Sequence, residues 1–139
     1  MILIDTSAMI EFLNQTGSPA DRTVEQLIVT NADVCLAEVS LTEILQGIKN
    51  DREQREVKAS LLAFPCMPLT GKESYLAAAE LYRACRKRGF TVRSTIDLLI
   101  AQTALENDAR VLHKDRDFDA LAEVCALKIH PVLTRASRR

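Results

Sequence analysis

The chain begins Met1-Ile2-Leu3-Ile4-Asp5-Thr6-Ser7, an apolar run that meets a carboxylate and then hydroxyls. The run reads as a short buried strand, and a buried strand cannot hold an unpaired charge. Asp5 is therefore expected where the strand emerges. In open parallel sheets, ligands bind beyond the carboxyl ends of the strands. Further acids follow at the expected ends of strands or starts of helices: Glu43, Asp97, and the close pair Asp115 and Asp117. Carboxylates with no cysteine or histidine cluster beside them are hard oxygen ligands, suited to Mg²⁺ or Mn²⁺. Gathered on one rim they repel one another and favour a divalent cation. Such a centre can activate water and neutralise charge on a phosphodiester in its transition state.

Each acid also has a plainer role. Asp5 can cap the first helix, but Thr6 and Ser7 could do so without it. Ser40-Leu41-Thr42-Glu43 fits a capping box, in which Glu43 reaches back to the N-cap amide. Asp97 can favour the dipole of a first helical turn, worth only about 0.3–1 kcal/mol. Yet helical spacing puts Asp97 in line with Ile100, Ala101 and Ala104, where an unpaired charge costs several kcal/mol. Asp115 and Asp117 can cap a helix and pair with Lys114 and Arg116. One of the two is expected to be that cap, and the sequence leaves open which. The joint pattern is stronger than any member, because a parallel sheet would carry all of these positions to one rim.

The elements that must do this are short. Ile2 to Ile4, Val34-Cys35-Leu36, Met67-Pro68-Leu69, Val111-Leu112 and Lys128-Ile129 read as strands. Between them lie helix patterns: one from Ala8 to Leu13, and one capped by Ser18 with Pro19 at its first position. A third is expected to be capped by Ser40, with Gly47 and Asn50 near its end, and a charged run from Asp51 to Lys58 follows. Lys72 to Arg88 is the most helix-favouring stretch and ends at Gly89. Ser94 starts another helix, and Asp115 to Val124 reads as the last. Strands alternating with helices indicate a three-layer α/β fold.

Composition narrows the class. The length of 139 residues suits one domain. We expect that domain over residues 1–133 and a polar tail over 134–139. The apolar fraction of 47% and charged fraction of 27% are ordinary for a globular protein. Aromatics make up 4% and tryptophan is absent, so an aromatic platform for base stacking is poorly supplied. A net charge of −1 gives no overall field toward nucleic acid. A local patch is available, because Arg83, Arg86, Lys87, Arg88 and Arg93 fall in a stretch without an acid. The same residues could equally serve the dipole at a helix end. Arg93, just before the Asp97 helix, is the best candidate to touch substrate. Cys35, Cys66, Cys85 and Cys125 form no C-x-x-C and are expected as small buried hydrophobes in a reduced cytoplasm. His113 and His130 lack a metal-binding partner, so no zinc site is expected. No stretch is long and apolar enough to span a bilayer. The opening lacks the basic region of a secretory leader, and the expected compartment is the cytoplasm.

Taken in order, Ile4-Asp5-Thr6-Ser7, Glu43 in Ser40-Leu41-Thr42-Glu43-Ile44-Leu45-Gln46-Gly47, Asp97 in Ile96-Asp97-Leu98-Leu99-Ile100-Ala101, and His113-Lys114-Asp115-Arg116-Asp117-Phe118 resemble the PIN-domain ribonuclease toxins of VapC type. The resemblance covers essentially the whole chain. It implies a PIN-like three-layer α/β/α fold around a central parallel sheet of four or five short strands. It implies a Mg²⁺- or Mn²⁺-dependent endoribonuclease of a type II toxin–antitoxin module. Carried over by position, Asp5, Glu43, Asp97 and Asp115 are the acidic quartet, with Asp117 an alternative ligand to Asp115. Thr6 or Ser7 would hold water or a phosphate oxygen. The family further implies a homodimer and a cognate antitoxin that blocks the acidic pocket.

Three rivals are weaker. A phosphotransferase of haloacid-dehalogenase type wants a second acid where Ser7 stands. A receiver domain wants paired acids after the first strand and a mid-chain acceptor aspartate. A PIN-like module that binds RNA or protein without cutting has no reason to concentrate carboxylates beside a polyanion.

Overall fold

The computed structural model describes residues 1–133; the expected tail, 134–139, lies outside the described residues. β1 (Ile2–Ile4), β2 (Val34–Ala37), β3 (Cys66–Met67), β4 (Arg110–Leu112) and β5 (Lys128–Ile129) form one sheet. It is parallel throughout and ordered β3-β2-β1-β4-β5. The helices are α1 (Thr6–Leu13), α2 (Pro19–Val29), α3 (Glu38–Gln46), α4 (Asp51–Leu62), α5 (Lys72–Lys87), α6 (Thr95–Glu106) and α7 (Asp117–Val124).

Alternation along the strands builds the layers, since successive side chains point to opposite faces. Leu3, Cys35, Ala37 and Val111 join Ala78, Leu98, Ile100, Ala101 and Phe118, so α5, α6 and α7 cover one face. Ile4, Leu36 and Leu112 join Met9, Val24, Ile44 and Leu61, so α1 to α4 cover the other. The chain builds outward from β1 through β2 to β3, then crosses to β4 and β5 on the opposite side. That reversal beside β1 is the switch point where such sheets open a crevice at their carboxyl ends.

Several boundaries differ from the sequence expectation, each for a local reason. Asp5 itself caps α1, its carboxylate accepting from the Ser7 amide at 3.0 Å. Thr6 and Ser7 are inside the helix. α3 starts at Glu38, directly after β2, and its N-cap Ala37 offers no side-chain bond. Ser40 is therefore interior and the capping box does not form. Asn50 opens α4 rather than ending α3, accepting from the Glu53 amide at 2.9 Å. β3 lies at Cys66–Met67, before Pro68, which cannot donate to a ladder. α7 starts at Asp117; Asp115 is outside it, accepting from the Asp117 amide at 3.0 Å. Gly89 follows α5 at φ 87°, a left-handed stop that lets the chain turn toward α6. Cys35 and Cys85 are buried, whereas Cys66 and Cys125 are only half-buried; all are free thiols.

Candidate metal centre and active site

Each acid reaches the rim by a different element. Asp5 follows β1 directly, and β1 lies between β2 and β4. Glu43 rides on α3, which leaves β2 without a loop. Asp115 and Asp117 follow β4 through a short turn, and Asp97 occupies the first turn of α6. α6 buries most of its length, which carries Asp97 inside with it: the residue is 7% exposed.

Asp97, Asp115 and Asp117 can each offer one oxygen, all within 4.8 Å of one another. Asp5 and Glu43 press on the same group by charge. Burial first, then the Asp5 carboxylate, then Asp115 and Glu43, push the Asp97 carboxyl up to about 8. Asp5 is also pushed up, chiefly by burial, against hydrogen bonds from Ser7 and the Thr6 amide that favour its charge. Carboxylates held this close cannot all ionise without a cation.

The donor set fits such a cation. Asp5 Oδ1 and Glu43 Oε1 are buried and have no hydrogen-bond partner among the described residues. An orphaned buried acceptor of this kind is costly, and a divalent ion among oxygen ligands would satisfy it. Because the capping box does not form, Glu43 is not spent on its own helix.

The basic and hydroxyl residues are placed less simply. Arg93 donates from its backbone amide and Nε to Asp117 Oδ2, at 3.1 and 3.3 Å, and from a terminal nitrogen to Asp115 Oδ1 at 3.3 Å. Its side chain is still 62% exposed. Ser7 donates its hydroxyl proton to Asp5 Oδ2 and accepts from the Lys114 amide at 2.9 Å. That leaves Ser7 no proton for a phosphate oxygen; instead it ties the β4–α7 turn to β1. Thr6 is buried, its hydroxyl without a partner among the described residues. Lys114, expected to pair with Asp115 and Asp117, leaves the two aspartates to Arg93 and instead clamps the same turn by an ion pair at 2.8 Å with Glu11, a residue not singled out from sequence. His113 supports it from inside: its Nδ1 accepts from the Asp115 amide at 3.0 Å, and Nε2 faces Asp119 Oδ1 at 3.1 Å. Nothing in the spacing of these residues announces contacts across more than a hundred positions.

A parallel sheet switching at β1, with acids from several segments on its carboxyl rim, is the arrangement of a known family. The chain belongs to the PIN-domain family, whose model matches residues 2–124. Within that family it is similar to VapC ribonucleases. It is 38% identical over 129 residues to "VapC ribonuclease Mb1587" of Mycobacterium bovis and to "Ribonuclease VapC11" of Mycobacterium tuberculosis, covering 92% of this chain and 96% of each relative. The fold also matches solved structures. One is VapBC2 from Rickettsia felis bound to a promoter DNA fragment, with TM-score 0.73 and 18% identity over 94% of this chain and 98% of that one. Another is a toxin–antitoxin complex from Klebsiella pneumoniae, with TM-score 0.66 and 16% identity over 85% and 90%.

Proposed function

We propose that the chain is a Mg²⁺- or Mn²⁺-dependent endoribonuclease toxin of VapC type, restrained by a cognate antitoxin. The observation that carries this is the convergence of Asp5, Glu43, Asp97, Asp115 and Asp117, with buried carboxylate oxygens on Asp5 and Glu43 left unsatisfied. Similarity to named VapC ribonucleases supports the substrate class, RNA. The named toxin–antitoxin complex among the fold matches supports an antitoxin partner. A homodimer fits the family. The domain assignment is the whole described chain, residues 1–133.

Asp5, Asp97 and Asp115 would hold the cation, with Glu43 and Asp117 completing the ring. Mg²⁺ or Mn²⁺ bound there supplies charge neutralisation for the phosphodiester and lowers the pKa of water. The chain's own residues do the rest. Ser7 fixes Asp5 through Oδ2 and so aims Oδ1 at the centre. Asp97 gives up its proton when the cation binds. Whichever carboxylate oxygen of the ring the cation leaves free would accept the proton of the attacking water. Arg93 meets a phosphate oxygen on the approach side. In-line attack would then form the new bond from water oxygen to phosphorus and break the bond to the 3′ oxygen, which would leave with a proton taken from solvent water.

The test is cleavage of a fluorogenic RNA by the full chain. Cutting that needs Mn²⁺ or Mg²⁺, stops with EDTA and is lost in Asp5→Asn supports the reading. Cutting indifferent to both treatments assigns the activity elsewhere. Metal uptake without cutting favours the binding module instead.

A further inference from the structure

We propose that the groove between α5 and the start of α6 is a nucleobase subsite for single-stranded RNA. Tyr75 and Tyr82 are its stacking faces, and Arg83 and Arg93 its phosphate contacts. The proposal rests on the ribonuclease reading above and extends it to how the strand is held beside the scissile bond.

The groove is open and encloses about 620 Å³, within the usual range for a small-molecule site. Its walls include Val92 and Leu99, and both tyrosines of the chain line it. That concentration is informative because aromatics are scarce. Phe118 is fully buried, and Phe12, Phe64 and Phe90 pack against the two cores. Tyr75, by contrast, is 53% exposed, and Tyr82 is half-buried, packed in part against the core while its free side lines the groove. The stacking platform that the composition argued against is therefore assembled from the only two tyrosines. They are seven residues apart on α5, about 10 Å along a helix axis on one side of it. Bases of an extended strand can stack on both, since every base offers a π face.

Charge selects the occupant. Arg83 and Arg93 both line the groove, with Arg86 and Lys87 further along α5. Among the described residues Arg83 makes an exposed pair with Glu80 at 3.7 Å, which is weak and readily exchanged for a phosphate. Arg93 belongs to both places: it lines the groove and bonds Asp115 and Asp117. A strand lying on the tyrosines is thereby led straight to the acid ring. An apolar protein segment would suit the walls, but the guanidinium groups and the continuity through Arg93 favour a polyanion.

The test measures binding of a labelled, mixed-sequence, single-stranded oligoribonucleotide to the full chain in EDTA, by fluorescence anisotropy. Tyr82→Ala and the pair Tyr75→Ala with Tyr82→Ala are expected to weaken binding roughly ten- to a hundredfold. Tyr82→Phe, which keeps the ring, should bind like the parent chain. The Mn²⁺-induced rise in Tm should persist in every variant, showing an intact fold and acid ring. Undiminished binding by the double alanine variant overturns the proposal. So does a parent dimer that Tyr75→Arg converts to monomers with full RNA affinity, which assigns the groove to a second copy. Absence of Mn²⁺-dependent cleavage by the parent chain is a separate result: it sinks the ribonuclease reading while tyrosine-dependent RNA binding still stands.

Discussion

Burial and neighbouring carboxylates hold the Asp97 carboxyl near 8, far above its ordinary 3.8, and pH-dependent behaviour follows. A carboxyl raised in the folded state stabilises that state while protonated. Its contribution is complete below the unfolded value of about 4 and is lost as pH climbs toward about 8. Metal-free protein should therefore lose Tm across that window. Asp97→Asn, which has no charge to bury, should be flatter with pH and more stable than the parent near about pH 8 in EDTA. Thermal melts at graded pH check this. A second side chain tests the tie between the chain's distant segments. Ser7→Ala strips the Lys114 amide of its acceptor and removes one of the two bonds to Asp5 Oδ2, the one from the Ser7 backbone amide remaining. We expect a stability loss of about 1–3 kcal/mol by denaturant titration, together with weaker Mn²⁺ binding.

At the scale of the element, Ser40 separates two accounts of α3. If it were an N-cap, Ser40→Ala would cost about 1 kcal/mol. In the structure its hydroxyl is buried inside the helix with no partner among the described residues, so the alanine should be neutral or slightly stabilising in urea melts. Phe118 is the opposite case: fully buried beside Asp117, it should cost about 3–5 kcal/mol when cut to alanine. What the sequence could disclose follows the same division. Apolar runs of strand length, the Ser18-Pro19 start and the Gly89 stop are local signals, and they located the sheet and most helices. The acids at strand ends were legible because a carboxylate interrupting an apolar run has few places to go. Cap choice at α3 was not legible. β2 passes into the helix without a loop, and the register that results packs Ile44 in the core with Leu41 and Leu45 against it. Arg93 was legible as a basic neighbour of Asp97, but its bonds to Asp115 and Asp117 depend on how α7 packs against α5 and α6. Ser7 seemed free for substrate until the β4–α7 turn folded back onto it.

For the molecule as a whole, binding of a divalent cation and loss of protons are one equilibrium. The rise in Tm that Mn²⁺ produces over EDTA should be small near about pH 5, grow with pH and level off near about pH 8. A shift independent of pH would mean that Asp97 takes no part. Net charge is −1, so attraction of RNA depends on the cations flanking the ring rather than on the molecule's overall field. No described helix is long and apolar enough to cross a membrane.

The strand order has a temporal consequence. β1 is made before its flanking strand β4 by more than a hundred residues, and the turn that completes the acid ring follows β4. A nascent chain carries Asp5 and Glu43 long before Asp115 and Asp117 leave the ribosome. A chain built this way cannot close its acid ring until the segment carrying Asp115 and Asp117 has joined β1, so any activity that needs the whole ring waits for that late pairing.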